Sequence, residues 1–221
     1  MSGKGRRLSA FCWPLLAIAL FGCIPTAAGA QELYDSFIRA VTVDQSGEVA
    51  AMLARGVDPN TVDPNGDPVL LIAARSGFEP TLDALLAAGA KVNIRNSYGD
   101  SPIMLAALGG HLAIVKKLLA RGAAINRAGW TPLIYAATSG QVDIARYLID
   151  AGADINASSP NGTTALMMAV RGGHSEVVDL LLARGADVGH RNDAGATALA
   201  WAQRGGFDAI ESALRQRGAT N

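Results

Sequence analysis

The sequence predicts an all-α fold: an elongated solenoid of helix-turn-helix units joined by short hairpin-like fingers. The first observation is a five-residue phrase, Gly-Ala-polar-Val/Ile-Asn, which recurs along the chain with looser copies at both ends. The second is its period, because the lead glycines are spaced 33, 33, 30, 33 and 33 residues apart. The third is that each interval holds two apolar segments with helical spacing. A fixed period of this kind is typical of stacked repeats that bury their apolar faces against one another. The lead glycines are Gly56, Gly89, Gly122, Gly152, Gly185 and Gly218.

Residues 1–30 are predicted to be a secretory signal peptide rather than part of the solenoid. Three basic residues precede an apolar stretch from Leu8 to Ile24, and Ala28-Gly29-Ala30 fits a cleavage site. We therefore expect cleavage after Ala30 and export of the chain. The compact, arginine-bearing signal is typical of bacteria, so the expected destination is the periplasm.

Two alternatives to simple cleavage remain open. An uncleaved membrane anchor is disfavoured because the apolar stretch is short and Pro14 interrupts it. Lipid attachment at Cys23 is also the weaker alternative, since the preceding Leu20-Phe21-Gly22 fits the lipobox pattern poorly at its bulky phenylalanine. We expect no membrane span in the mature chain.

The charge and thiol content of residues 31–221 narrow the class of partner. The signal peptide holds three basic residues and no acidic one, so the mature chain has 19 − 3 = 16 basic and 19 acidic residues, a net charge of −3. This balance disfavours binding to nucleic acid or to anionic membranes. Both cysteines, Cys12 and Cys23, lie in the signal peptide, so the mature protein has neither a disulfide nor a cysteine metal site.

The clearest copy of the unit lies in the fourth interval. Thr131 is placed to cap the first helix, and Pro132 suits its first position because proline lacks an N–H. Gly140 is expected to end that helix. A second helix is predicted from Asp143 to Asp150, and Gly152 supplies the left-handed residue that ends it.

The Thr-Pro-Leu entry, the turn glycine and the Gly-Ala-x-Val-Asn exit coincide in several intervals, and together they resemble the ankyrin repeat over nearly all of the mature chain. The resemblance implies one ankyrin-repeat domain, 31–221, with a protein-binding concave face. We expect it to act as a monomer. The predicted units are 31–66, 67–99, 100–129, 130–162, 163–195 and 196–221.

Two departures from the family pattern have structural consequences. The family's usual histidine after Thr-Pro-Leu is absent, so stability is expected to depend more on apolar contact. The finger between Asn126 and Gly129 is three residues shorter than its neighbours and is expected to leave a notch. The residues at the histidine position are Leu71, Met104, Ile134, Met167 and Ala200.

The two ends of the array have the features of capping units. Polar Glu211 and Arg215 replace apolar residues in the last predicted helix, and an apolar stripe from Leu33 to Val41 predicts a starting helix. Because solenoid ends require a polar outer face, we expect the array to be complete.

No residue pattern predicts catalysis. His111 and His174 follow turn glycines and are expected to be structural, whereas His190 lies on a finger and is expected to be solvated. No nucleophile elbow, phosphate loop or zinc-ligand spacing is present. Recurring Asp58, Asp154 and Asp187 share one repeat position, which favours a turn role. We expect no enzyme activity, no cofactor and no metal site.

The resemblance implies two sets of residues that could contact a partner protein. Fingers and first helices line the concave side of such arrays. The finger set is Asp67, Tyr98, Asp100, Trp130, Thr163 and Asp193. The first-helix set, which we call the ridge, is Arg75, Leu108, Thr138, Arg171 and Arg204.

Two features of these sets have more than one interpretation. Tyr98 and Trp130 are either anchors of a protein interface or residues that pack between repeats. Arg75, Arg171 and Arg204 are either a basic stripe that suits an acidic partner segment or a solvated face.

The main functional hypothesis is a non-catalytic scaffold that binds, and modulates or protects, a periplasmic or envelope protein. The alternative is a secreted effector that binds a host protein. An enzyme with an unrecognised site is the least favoured hypothesis.

Overall fold

The computed structural model describes residues 27–220, which form twelve α-helices in six consecutive pairs and two isolated β-bridges. This arrangement confirms the predicted all-α solenoid. Most of the predicted signal peptide, including Cys12 and Cys23, lies outside the described residues. The helices are α1 (Ala27–Thr42), α2 (Ser46–Ala54), α3 (Val69–Ser76), α4 (Glu79–Ala87), α5 (Pro102–Leu108), α6 (Leu112–Ala120), α7 (Pro132–Thr138), α8 (Val142–Asp150), α9 (Ala165–Arg171), α10 (Ser175–Ala183), α11 (Ala198–Gly205) and α12 (Asp208–Gln216).

Threonine side chains start the first helices of the last three units. Thr131, Thr164 and Thr197 each accept a hydrogen bond from the backbone N–H three residues later, at 3.3, 3.4 and 3.1 Å. Each threonine thereby satisfies one of the amide groups that a helix start leaves unpaired. The predicted cap at Thr131 is confirmed. The helix that it starts ends at Thr138, two residues before the predicted Gly140.

The apolar core is one cluster that runs through all six units. At the position where the family has its histidine, Leu71, Met104, Ile134 and Met167 are fully buried, and Ala200 is half-buried. The predicted apolar contact at this position is therefore confirmed in four units. At the first unit, Phe37 and Val41 of α1 are also fully buried.

The asparagine of the repeated phrase joins each unit to the next. Its side-chain oxygen accepts a hydrogen bond from the backbone N–H of the third residue of the following phrase, at 2.8–2.9 Å. For Asn93 and Asn126 the side-chain N–H also donates to the carbonyl of the next lead glycine. We call this set the asparagine ladder: Asn60, Asn93, Asn126 and Asn156.

Four fingers end in a turn closed by a polar side chain, and we call these turns the fingertips: 63–67, 96–100, 159–163 and 192–196. In each, the first residue's side-chain oxygen accepts a hydrogen bond from the backbone N–H four residues later, at 2.8–3.1 Å. The closing residues are Asp63, Asn96, Ser159 and Asn192.

The shortened finger lacks this closing residue. Within the described part of the chain, Arg127, Ala128 and Gly129 form no hydrogen bond. A cleft of about 480 Å³ lies between these residues and the following stretch that contains Asp154, Ala157 and Ser158. The notch predicted from the sequence is therefore present.

The outer side of the last helix is polar, as the sequence predicts. Arg215 of α12 donates from Nε to Glu211 at 2.9 Å, and Gln203 of α11 donates to the same carboxylate at 3.0 Å. These two hydrogen bonds hold the pKa of Glu211 below its usual value.

Candidate protein-binding surface

The ridge residues lie in the last turn of the first helices. Arg75, Leu108, Arg171 and Arg204 are exposed, and Thr138 is half-buried. A cation at this end of a helix is favoured by the helix dipole, which accounts locally for the arginines of α3, α9 and α11. The three arginines differ in whether the guanidinium group is already paired with another side chain.

Arg75 is already paired. Its Nη2 lies 3.4 Å from Oδ2 of Asp67 on the preceding fingertip, and the Asp67 side chain is only 14% exposed. Asn96 of the next finger donates to the other oxygen of Asp67 at 2.9 Å. Asp67 therefore connects its own unit to the neighbouring one, and neither residue presents a free charge to a partner. Of the two interpretations of the three arginines, the basic stripe therefore does not extend to Arg75.

Arg171 and Arg204 are free. Neither guanidinium group forms an ion pair or a hydrogen bond with any side chain or backbone group of residues 27–220. Both line a cleft of about 350 Å³ together with Trp201, Gly205 and Phe207. Arg171 also lines an adjoining cleft of about 260 Å³. We call the two clefts the groove, and the side chains that matter for it are Thr138, Met168, Arg171, Trp201, Arg204 and Phe207.

The aromatic and apolar floor of the groove was not predicted from the sequence. Met168 and Trp201 lie three residues before Arg171 and Arg204 on the same helices, so they share one helix face with the arginines. Trp201 is half-buried and packs against the core. The repeat pattern could have indicated an aromatic residue at the Trp201 position, since Tyr135 occupies the same position in the fourth unit.

Tyr98 and Trp130 differ sharply in exposure. The Tyr98 side chain is 85% exposed, whereas Trp130 is 36% exposed and packs edge-to-face on Tyr135 at a centroid distance of 5.9 Å. Tyr98 therefore has a side chain available for an interface. Trp130 has part of its ring in packing within its own unit, and the rest borders the shortened finger.

Asp100 is engaged by the neighbouring unit. The Tyr135 hydroxyl of α7 donates a hydrogen bond to Oδ1 of Asp100. Burial, followed by this hydrogen bond to a carboxylate, raises the pKa of Tyr135 well above its ordinary value. Asp100 thus holds two units together, and this contact leaves less of its carboxylate free for a partner.

Thr163 is not a contact residue, contrary to the prediction. It is 2% exposed, and its backbone N–H donates to Ser159 Oγ at 3.1 Å within the fingertip 159–163. Asp193 on the next fingertip is exposed, and Leu108 is an exposed apolar side chain on the ridge. Both remain available to a partner.

The histidines are structural in all three positions. His111 Nε2 lies 3.0 Å from the Arg75 carbonyl, and His174 Nε2 lies 3.1 Å from the Thr138 carbonyl, each across a unit boundary. This confirms the structural prediction for both. The prediction that His190 is solvated is wrong, because it is half-buried and its Nε2 lies 2.7 Å from the Gly162 carbonyl.

The recurring aspartates have the predicted turn role. Asp58, Asp154 and Asp187 each accept a hydrogen bond from the backbone N–H two residues later, at 2.8–2.9 Å. Hydrogen bonds from the backbone and then the side chain of Asn60 lower the pKa of Asp58.

Residues 27–220 contain neither a cluster of metal-binding side chains nor a helix that could span a membrane. The structure brings no three metal-binding side chains together in this part of the chain. No helix in the same range combines the length and apolar character needed to cross a bilayer.

Comparison with known families gives overlapping matches along the chain. A family model described as "Ankyrin repeats (3 copies)" matches residues 37–128 and 70–159, and one described as "Ankyrin repeats (many copies)" matches residues 148–202. Comparison with curated proteins gave no match. The matched stretches cover all three groove helices, α7, α9 and most of α11.

Proposed function

Because this chain belongs to the ankyrin-repeat family, whose repeats generally mediate protein–protein interaction and are typically not enzymatic, we propose that it is a non-catalytic scaffold that binds one partner protein on its finger and first-helix face. The partner is a protein of the bacterial envelope, which the scaffold modulates or protects. Docking occurs on a preformed surface, so little conformational entropy is lost on binding.

The observation that carries the proposal is the groove with its two free arginines. At two other positions of the same face the charged side chain has a partner within the array: Arg75 pairs with Asp67, and Asp100 accepts a hydrogen bond from Tyr135. Arg171 and Arg204 lack such partners within residues 27–220 and stand beside the half-buried Trp201. Aromatic and arginine side chains are the usual energetic centres of protein interfaces.

Export supports an envelope partner rather than a cytoplasmic one. The basic n-region, the apolar stretch and the Ala28-Gly29-Ala30 site are features of a secretory signal. Residues 31–221 contain no cysteine, so the mature chain is compatible with an oxidising compartment.

The test is capture of envelope proteins by the purified protein and identification by mass spectrometry. A variant with Tyr98, Trp130 and Arg171 replaced by alanine is expected to lose the partner that wild type recovers. Arg146→Ala is the matched control, because this exposed arginine lies on the second helix α8. Equal recovery by the triple variant, with an unchanged circular dichroism spectrum, would remove the proposed surface.

The effector alternative predicts the same scaffold in a different place. Fractionation of the native cells separates the two hypotheses. Retention of the chain in the periplasm contradicts the effector hypothesis, and accumulation in the medium contradicts the envelope role.

A further inference from the structure

The groove is a region of unopposed positive charge on a chain whose mature part is net negative. Its two arginines line one cleft of about 350 Å³, and no carboxylate lines either cleft of the groove. Because Arg75 at the equivalent ridge position is paired with Asp67, the unpaired arginines of the ridge are those of the last two units. A ligand that enters the groove therefore meets two guanidinium groups without displacing an internal partner.

The floor of the groove favours a peptide over a bare anion. Trp201 and Phe207 line the cleft that the two arginines share, and Met168 lines the adjoining cleft. Apolar side chains there can be buried against a ligand that also carries a negative charge. A phosphate backbone presents charge without a flexible apolar side chain, whereas a peptide segment can present both.

The order of the two clefts fits an extended segment that crosses the first helices. Helix α9 packs against both α7 and α11, and Arg171 of α9 lines both clefts. Packed helix axes lie about 8–10 Å apart, and alternate side chains of an extended chain lie on one face, about 6.6 Å apart. A segment of a few residues is therefore long enough to place side chains of one face in the two neighbouring clefts.

We propose that the groove binds an extended acidic segment of the partner protein. One carboxylate lies between Arg171 and Arg204 above Trp201, and an apolar side chain two residues away enters the cleft formed by Thr138 and Met168. Guanidinium groups suit this role because each can form two parallel hydrogen bonds to a carboxylate. The inference rests on the proposed function and specifies the chemistry of the partner.

The test is fluorescence anisotropy with a labelled peptide that repeats Glu-Ser-Leu and has blocked ends, titrated with the full-length protein. We expect saturable binding that weakens as salt is added. Arg171→Gln and Arg204→Gln should each weaken it roughly tenfold, the loss typical of one charge-assisted hydrogen-bond contact. Arg171→Lys keeps the charge but cannot form two parallel hydrogen bonds to a carboxylate. Its affinity for the peptide should therefore lie between those of wild type and Arg171→Gln.

Two controls make the result specific. Arg75→Gln removes the same charge from the same ridge position and should change the affinity less than about twofold, because this arginine is already paired. The peptide with glutamine in place of every glutamate should bind at least about tenfold more weakly than the acidic one.

Several outcomes would overturn the proposal. They are equal binding of the glutamine peptide, an equal loss in Arg75→Gln, or tighter binding of a labelled single-stranded oligonucleotide that depends on Arg171 and Arg204. If the acidic peptide fails to bind while partner capture still depends on Tyr98, Trp130 and Arg171, acid recognition is wrong and the scaffold function stands.

Discussion

Asn126 and Asp154 are joined across the boundary that contains the shortened finger. The Asn126 side-chain oxygen accepts a hydrogen bond from the Asp154 backbone N–H at 2.8 Å, and its side-chain N–H donates to the Gly152 carbonyl at 2.8 Å. The three missing residues follow Asn126, so they shorten the finger without removing this rung of the asparagine ladder. The array therefore continues through its one irregular interval.

Replacement of Asn126 by alanine is expected to lower the free energy of unfolding by about 1–2 kcal/mol, because it removes two inter-unit hydrogen bonds and leaves their backbone partners unpaired. Urea unfolding followed by circular dichroism measures the change. Asn65→Ala is the control, since among residues 27–220 the Asn65 side chain bonds only to Asp63 of its own fingertip, and surface changes of this kind usually stay within about 0.5 kcal/mol. Equal losses in both variants would show that the ladder adds nothing beyond a local turn.

The ladder has a missing rung that can be restored. Gly189 occupies the asparagine position of its phrase, and the Thr220 backbone N–H, which would receive the bond, has no hydrogen-bond partner among residues 27–220. A Cβ at Gly189 would meet only Asp187 Oδ1, at 3.4 Å. We expect Gly189→Asn to raise the free energy of unfolding by about 1 kcal/mol.

Gly189→Ala separates the two causes of that gain. Alanine reduces the freedom of the unfolded chain without supplying the side-chain amide, so part of the stabilisation should appear in it. The remainder should appear only in Gly189→Asn. Equal chemical denaturation midpoints for the two variants would contradict the restored rung.

The bond from Tyr135 to Asp100 predicts a pH dependence. Folding raises the pKa of Tyr135 above its usual value of about 10, first through burial and then through the hydrogen bond to the Asp100 carboxylate. The contribution of Tyr135 to stability is therefore complete below about pH 10 and declines as the pH rises above it, since only the unfolded chain then ionises readily.

Tyr135→Phe isolates this contribution. At neutral pH it should lower the free energy of unfolding by about 1–3 kcal/mol, because Asp100 loses a hydrogen bond to its charged group. Urea unfolding at about pH 8 and about pH 11 should then show a smaller loss of stability in the variant than in wild type. Groups that titrate in both proteins cancel in this comparison, so parallel losses would contradict the prediction.

The shortened finger should be detectable by hydrogen exchange. The backbone N–H of Gly99, Gly162 and Gly195 each donates to the first residue of its fingertip, whereas Gly129 has no such bond. We expect the Gly129 N–H to exchange faster than the other three, as measured by exchange with NMR detection. Inserting Ile-Arg-Asn after Asn126 to match the second finger should slow it, and unchanged exchange in that variant would contradict this account of the notch.

Most of the fold could be predicted because each unit repeats the same local signals. Thr131 and its equivalents mark helix starts, the lead glycines mark helix ends, and the apolar residues between them have helical spacing. These signals act within a few residues of one another. The asparagine of the phrase was recognised as a marker, but its role as an inter-unit bond depends on a residue about 31 positions away, as between Asn93 and Ala124.

The candidate site could be predicted less completely. Whether a side chain is free to contact a partner depends on its neighbours in space, and its position within the repeat does not reveal them. Arg75 and Arg171 share one repeat position, yet only Arg75 has an aspartate at the fingertip of its own unit. Thr163 matches exposed finger positions in the family, but in this chain it is buried at the end of the fingertip that Ser159 closes. Trp201 lies three residues before the contact position Arg204, in a column of side chains that the family's contact positions do not include.

The missing fingertip also divides the surface mechanically. Asn96 links the first two fingertips through Asp67, and Asn161 accepts a hydrogen bond from Asp193 between the last two. No fingertip hydrogen bond crosses residues 127–129. The fingers thus form two hydrogen-bonded groups, which are connected by the continuous array of helices. Strain that a partner imposes on the group beside Tyr98 therefore reaches the group beside the groove only through the helices.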